Sequence, residues 1–123
     1  MKRILIVDDS GTVIESIRMI LEKFGIESNF APSGVEAVEL VKKTKYDMVL
    51  LDIMMPKMGG NETLWHFERD ENLLNDTTPI IAMTTNEYEG AREEYISRGY
   101  TNFMPKPLTY DNLKNLLEEY GIV

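Results

Sequence analysis

Arg3-Ile4-Leu5-Ile6-Val7-Asp8-Asp9 reads as a strand of branched apolar residues that runs straight into two acids. Nearly unbroken Ile, Leu and Val is what a strand shows when both faces are covered, as in a parallel sheet between two helical layers. Three further stretches repeat the plan. Met48-Val49-Leu50-Leu51 ends in Asp52, Pro79-Ile80-Ile81-Ala82-Met83 ends in Thr84-Thr85, and Thr101-Asn102-Phe103-Met104-Pro105 ends in Lys106-Pro107. If these strands are parallel neighbours, three carboxylates, a hydroxyl and an ammonium meet at one edge of the sheet.

Between the strands the period changes to that of helices. Val13, Ile17, Ile20, Leu21 and Phe24 make one apolar stripe over a helix near residues 11–24. A short strand, Glu27 to Ala31, precedes Ser33-Gly34-Val35-Glu36, a capping-box pattern that opens a helix running to about Lys43. Leu64 and Phe67 mark a third helix and Ala91, Tyr95 and Ile96 a fourth. Thr109 is the expected N-cap of a fifth helix, with Leu108 and Leu113 spaced as a hydrophobic staple and Leu116, Leu117 and Tyr120 on its inner face. The stretch Asp70 to Thr78 is polar and reads as a helix end and a surface loop. Five strand–helix units predict one α/β domain over residues 1–123, a doubly wound five-stranded parallel sheet flanked by five helices.

Such sheets bind ligands beyond the carboxyl ends of the strands, where the strand order reverses. In the flavodoxin-like order 2-1-3-4-5 that point falls between the first and third strands, which end in Asp8-Asp9 and Asp52. The second strand ends in Ala31-Pro32 and offers no chemistry. Carboxylates packed together raise each other's pKa unless a cation intervenes, and magnesium suits a site of one or two carboxylates plus water and phosphate oxygens. A buried Asp–Lys pair without function is the plain alternative, but buried ion pairs seldom stabilise enough to account for five polar groups.

Ile6-Val7-Asp8-Asp9-Ser10, Leu51-Asp52 through Gly59-Gly60, Ile81-Ala82-Met83-Thr84 and Lys106-Pro107 together resemble the receiver domains of two-component response regulators. The resemblance spans the whole chain, in order and at similar spacing. It implies that Asp52 is the phosphoacceptor, taking a phosphoryl group from a phosphohistidine of a sensor histidine kinase or a histidine phosphotransfer protein. It implies a magnesium ion, with manganese as a substitute, held by Asp9 directly, by Asp8 mostly through water, by Asp52 and by the main-chain carbonyl of Met54. Thr84 is then the hydroxyl that swings toward the phosphoryl group, Lys106 the ammonium that pairs with Asp52, and Lys106-Pro107 a cis peptide. Phe103 turns inward into the space Thr84 vacates, which alters the surface of the fourth helix, fifth strand and fifth helix for a downstream target. Thr85, bulkier than is usual there, and Asn86 flank the site and tune hydrolysis. Gly90 through Leu108 looks more like receivers attached to hybrid histidine kinases than like chemotaxis regulators, so a relay module cut from such a kinase is the alternative to a single-domain regulator, which Met1 before the first strand favours.

The rest of the sequence excludes more than it adds. A net charge of −8, from 21 acidic and 13 basic residues, disfavours direct nucleic-acid binding. There is no cysteine, hence no disulfide or thiolate metal site. No apolar run nears the ~20 residues of a membrane span and no signal peptide opens the chain, so the cytoplasm is the expected compartment. His66, the lone histidine, sits beside Trp65 without a base and reads as a surface residue. Tyr88, Tyr95, Tyr100 and Tyr120 suit either an exposed face or ordinary packing. A haloacid-dehalogenase-type phosphatase would want a second Asp at position 54, where Met54 stands. A flavin carrier would want a phosphate-binding loop where Asp8-Asp9 stand. The expectation is a phosphorylation-dependent switch and not an enzyme.

Overall fold

A computed structural model describes residues 1–123. Strands β1 (Arg3–Val7), β2 (Glu27–Ala31), β3 (Met48–Asp52), β4 (Ile80–Thr84) and β5 (Asn102–Pro105) alternate with helices α1 (Gly11–Lys23), α2 (Gly34–Lys43), α3 (Gly60–Glu68), α4 (Ala91–Ser97) and α5 (Tyr110–Glu119). All strand pairs are parallel, in the order β2-β1-β3-β4-β5. No helix is long and apolar enough to cross a membrane.

Side-chain alternation divides each strand between two cores. Leu5, Val7, Val49, Leu51, Ile80 and Ala82 face Leu64 of α3 and Tyr95 of α4. Ile4, Ile6, Met48, Leu50, Ile81 and Met83 face Ile17 and Leu21 of α1 and Leu113 and Leu117 of α5. The same alternation aims the residues at the strand ends. Val7 pairs with Leu51, so Asp8 and Asp52 emerge side by side, in step with Ile6 and Leu50. Lys106 is in step with Met104 and comes out on that side too, whereas Thr84 is in step with Ala82 on the other.

Three of the five helix starts carry side-chain caps, those at Ser33 and Thr109 as expected. Ser10 accepts from the Val13 N–H and Ser33 from the Glu36 N–H, and Thr109 and Asn112 form a reciprocal capping box. The stripe on α1 is rotated by one position from the expected one. Ile14, Ile17 and Leu21 point straight into the core, while Val13, Ile20 and Phe24 lie along its margin. The margin is used: the Phe24 ring stacks on Tyr110 of α5 with centroids 5.1 Å apart.

The stretch Asp70 to Thr78 contains no helix or strand, yet it is more than a surface loop. The Asn75 side chain donates to the carbonyls of Val41 and Thr44, both at 2.8 Å, and accepts from the Tyr46 N–H at 2.7 Å. It therefore closes the α2 C-terminus and aligns the chain entering β3. Asn75→Ala leaves these three groups without their partner, and an unsatisfied buried group costs about 1–3 kcal/mol. We expect a loss of about 3 kcal/mol in stability, read from the midpoint of urea unfolding, against less than about 0.5 kcal/mol for the exposed neighbour Leu74→Ala.

Candidate phosphoacceptor site

Asp8, Asp9 and Asp52 each present a carboxylate oxygen, and these three atoms lie within 4.8 Å of one another. Asp8 and Asp52 are buried and Asp9 is exposed. Each buried carboxylate is gripped on one oxygen by the backbone just after it. Asp8 Oδ1 accepts from the Ser10 N–H at 2.9 Å, and Asp52 Oδ1 accepts from the Met54 N–H at 3.1 Å. The second oxygen of each faces Lys106. Its Nζ donates to Asp8 Oδ2 at 2.7 Å and stands 3.6 Å from Asp52 Oδ2.

Lys106 makes the expected ion pair with Asp52 and, in addition, a shorter hydrogen bond to Asp8. Asp8 and Asp52 lie side by side on adjacent strands, and the ammonium settles on the nearer oxygen while remaining within ion-pair reach of the other. The lysine is aimed by the main chain, whose N–H at Lys106 donates to the Thr84 carbonyl at 2.8 Å. The Lys106–Pro107 peptide is cis.

Electrostatics single out Asp52. Burial, and after it the neighbouring Asp8, push its pKa up to about 6, against the pull of Lys106 and the Met54 N–H. For Lys106, burial works against the charge. The hydrogen bond to Asp8 and the nearby Asp52 outweigh it and hold the ammonium above the ordinary lysine value. With three acids and one lysine the cluster keeps surplus negative charge, and its free donors are hard oxygens at close range. That is a donor set for a hard divalent cation.

The remaining residues frame this cluster. Thr84 is buried, and its Oγ1 accepts from the Asn86 N–H at 3.1 Å. Thr85, Asn86 and Met54 are exposed at the rim. The Phe103 ring is inside, at 3% exposure. It stacks on Tyr95, centroids 5.4 Å apart and planes within 10°. Tyr95 and Tyr100 are buried, and of the tyrosines named as a possible exposed face only Tyr88 is well exposed. His66 lies on α3, edge-on to the Trp65 ring.

Two features were missed in the sequence. Gly60 allows α3 to start hard against the end of β3: a Cβ there would meet Ile53 Cα at 2.7 Å and the Asp52 carbonyl oxygen at 2.9 Å. Tyr100 Oη donates to Asn61 Oδ1 at 2.9 Å across the same junction. The bulk of Tyr100 after Gly99 was visible in the sequence, but its partner 39 residues away was not.

The acidic, lysine-bridged cluster sits at the switch point, where doubly wound α/β proteins bind their ligands. Comparison with known proteins narrows this. Residues 4–118 match the family model described as the response regulator receiver domain, and the chain belongs to that family. It is 34% identical over 117 residues to the transcription factor SKN7 of Candida albicans, covering 95% of this chain and 20% of that protein. Chemotaxis protein CheY4 of Vibrio cholerae superposes with a TM-score of 0.86 at 28% identity, covering 98% of both chains. The receiver domain of the sensor histidine kinase PA1611 of Pseudomonas aeruginosa PAO1, solved with a magnesium ion coordinated in its active-site cleft, superposes with a TM-score of 0.84 at 27% identity over 97% of this chain and 96% of that one. The chain spans 15% to 47% of the length of the first curated relatives it matches. It is a receiver domain of two-component signalling.

Asp52 sets a measurable pH dependence. Its folded pKa of about 6 lies above the ordinary 3.8, so its contribution to stability is intact below the lower value and is lost as pH rises through the upper one. In metal-free buffer we expect Asp52→Asn to gain about 2–4 kcal/mol over the wild type between about pH 4 and pH 7, as the wild-type carboxylate ionises. Denaturant midpoints at a series of pH values read this. A difference that does not grow with pH would show that Asp52 is not destabilised by its surroundings.

Proposed function

We propose that this chain accepts a phosphoryl group on Asp52 from a phosphohistidine of a sensor histidine kinase or a histidine phosphotransfer protein, and so changes its affinity for a downstream target protein. One observation carries the proposal: the Asp52 carboxylate, buried, is held through one oxygen by the Met54 N–H while the other faces Lys106, and the group lies within 4.8 Å of carboxylate oxygens of Asp8 and Asp9.

Phosphoryl transfer depends on in-line positioning and charge neutralisation more than on proton chemistry. An Asp52 oxygen attacks phosphorus as an oxygen–phosphorus bond forms. The phosphorus–nitrogen bond to the donor imidazole breaks, and the electron pair returns to that nitrogen, which takes up a proton. The backbone grip on Oδ1 fixes the approach of the carboxylate. Lys106, already between Asp8 and Asp52, neutralises the equatorial phosphoryl oxygens. Asp8, Asp9, Asp52 and the main-chain carbonyl of Met54 would hold magnesium, or manganese in its place. When bound, the ion would supply positive charge that offsets the negative charge of the site. Thr84 exchanges its bond from the Asn86 N–H for one to the new phosphoryl group. Because the Phe103 ring is already buried, the response around it is a repacking against Tyr95 and not a turn from outside. Thr85 and Asn86, at the open rim, limit how water reaches the acyl phosphate. Similarity both to response regulators and to a receiver of a histidine kinase supports terminal output and relay alike. A relay module of a hybrid kinase remains the alternative setting for the same chemistry, and the cytoplasm the compartment that suits it.

Incubation with acetyl phosphate and magnesium is expected to add one phosphoryl mass to the wild type and none to Asp52→Asn. Equal labelling of the two by intact-mass analysis would remove Asp52 from the role. Lys106→Ala leaves Asp8 and Asp52 facing each other without the ammonium. It should slow labelling about a hundredfold, the usual cost of losing one preorganised charge donor. A labelling time course that overlays the wild type's would contradict the function given to Lys106.

A further inference from the structure

We propose that Tyr100 is a positioning residue that ties the chain leaving Asp52 to α4, so that a change at the phosphoacceptor reaches α4 through this phenol. Its meaning as a signal rests on the function proposed above for Asp52, but the tie itself does not.

The physical case begins with α4. This helix has seven residues, starts after Gly90 in the left-handed region at φ 86°, and has no side-chain N-cap. Short helices with no cap have little stability of their own and depend on tertiary packing. Only Ala91 and Tyr95 of α4 are buried. Alongside the hydrogen bond that Arg92 Nη1 donates to Asn102 Oδ1 of β5 at 2.7 Å, the position of α4 therefore depends on what the Tyr95 ring touches. Phe103 of β5 stacks on it with centroids 5.4 Å apart, and Tyr100 meets it edge-on, centroids 5.9 Å apart and planes at 83°. The Arg98 guanidinium lies 5.4 Å from the Tyr95 ring.

The other end of Tyr100 reaches the phosphoacceptor. The ring is buried, and its hydroxyl donates to Asn61 Oδ1 in the first turn of α3 at 2.9 Å. A Cβ on Gly60 would lie 2.9 Å from the Asp52 carbonyl oxygen and 3.1 Å from Tyr100 Oη, so the phenol sits against the very junction where the chain leaves Asp52. A phenol buried this deeply stays a neutral donor, since burial raises its pKa. If the first turn of α3 moves, the hydroxyl is left unsatisfied or the ring must follow, and the ring carries Tyr95 with it. The two outcomes are discrete, which is what transmission through packed side chains requires. The partly exposed Ile96 on α4 is then the surface that registers the change.

The test is a double-mutant cycle followed by amide hydrogen exchange on the full, unphosphorylated chain. Tyr100→Phe keeps the ring and removes the hydroxyl, while Asn61→Ala removes the acceptor. Each single variant should speed exchange of the α4 amides, residues 91–97, about tenfold, the double variant should be no faster than either single, and α1 and α5 should be unchanged. Additive effects, acceleration confined to α3, or a uniform rise across the chain would overturn the proposal, the last marking a merely structural role. In a second arm, wild type and Tyr100→Phe are labelled with acetyl phosphate and magnesium. The two should take up label at the same rate. Exchange changes should extend to α4 in the wild type and stop at the segment 53–61 in the variant. Identical spread in both would overturn the proposal. Failure of the wild type to take label would remove the function given to Asp52, and the cycle on unlabelled protein would still decide the role of Tyr100.

Discussion

The Lys106 ammonium stands between two buried carboxylates that would otherwise face each other across adjacent strands. At about 4 Å and an effective dielectric near 20, a pair of unit charges interacts with about 4 kcal/mol, comparable with much of the stability of a small domain. One lysine cannot balance three acids. Asp52 carries the consequence, with a pKa pushed up to about 6 by burial and by Asp8. The site is thus built with a deficit of positive charge at the point where the sheet opens. Everything at its rim, from the backbone grips on Asp8 and Asp52 to the exposed Asp9, either limits that deficit or leaves room for a cation to fill it.

The deficit is reached by ordinary strand geometry. A parallel sheet covered on both faces needs apolar residues at every position of its inner strands, and β1 and β3 supply them. The pattern that marks the strands also marks where they stop, because Asp8 and Asp52 break it at equivalent registers. This is why the fold and the identity of the acids were legible in the sequence. Thr84 and Lys106 were legible for the same reason, as the first polar groups after apolar strands. The capped helix starts at Ser10, Ser33 and Thr109 follow from chemistry within three residues of each cap.

What was not legible depends on distances shorter than any pattern resolves. Lys106 and Asp8 are 98 residues apart, and the choice between Asp8 and Asp52 is a difference between 2.7 Å and 3.6 Å. The setting of Phe103 depends on Tyr95, a residue of a different element whose ring could equally have faced solvent. Asn75 looked like one more polar residue in a loop, since nothing local shows that its amide will close α2 and hold the start of β3. Periodicity reports which face a residue lies on. It does not report which of two neighbours on that face a flexible side chain will choose.

The charge deficit also constrains how the switch turns. A phosphoryl group adds about −1.5 to −2 charge if it titrates as other protein phosphates do. Placed on Asp52 it replaces a single negative charge with a larger one beside Asp8 and Asp9, so binding of a cation and binding of the phosphoryl group favour each other by linkage. Under the proposed function, a Thr84 that swings toward the phosphoryl group would oppose the change slightly, by the loss of the bond from the Asn86 N–H, worth about 1 kcal/mol net. That cost is small against the electrostatic terms, and it falls on the one residue whose alternation places it on the α3–α4 side of the sheet. Under the function proposed for Asp52, the acids and the lysine on the α1–α5 side would hold the group, and Thr84 and the aromatic rings on the opposite side would carry the response.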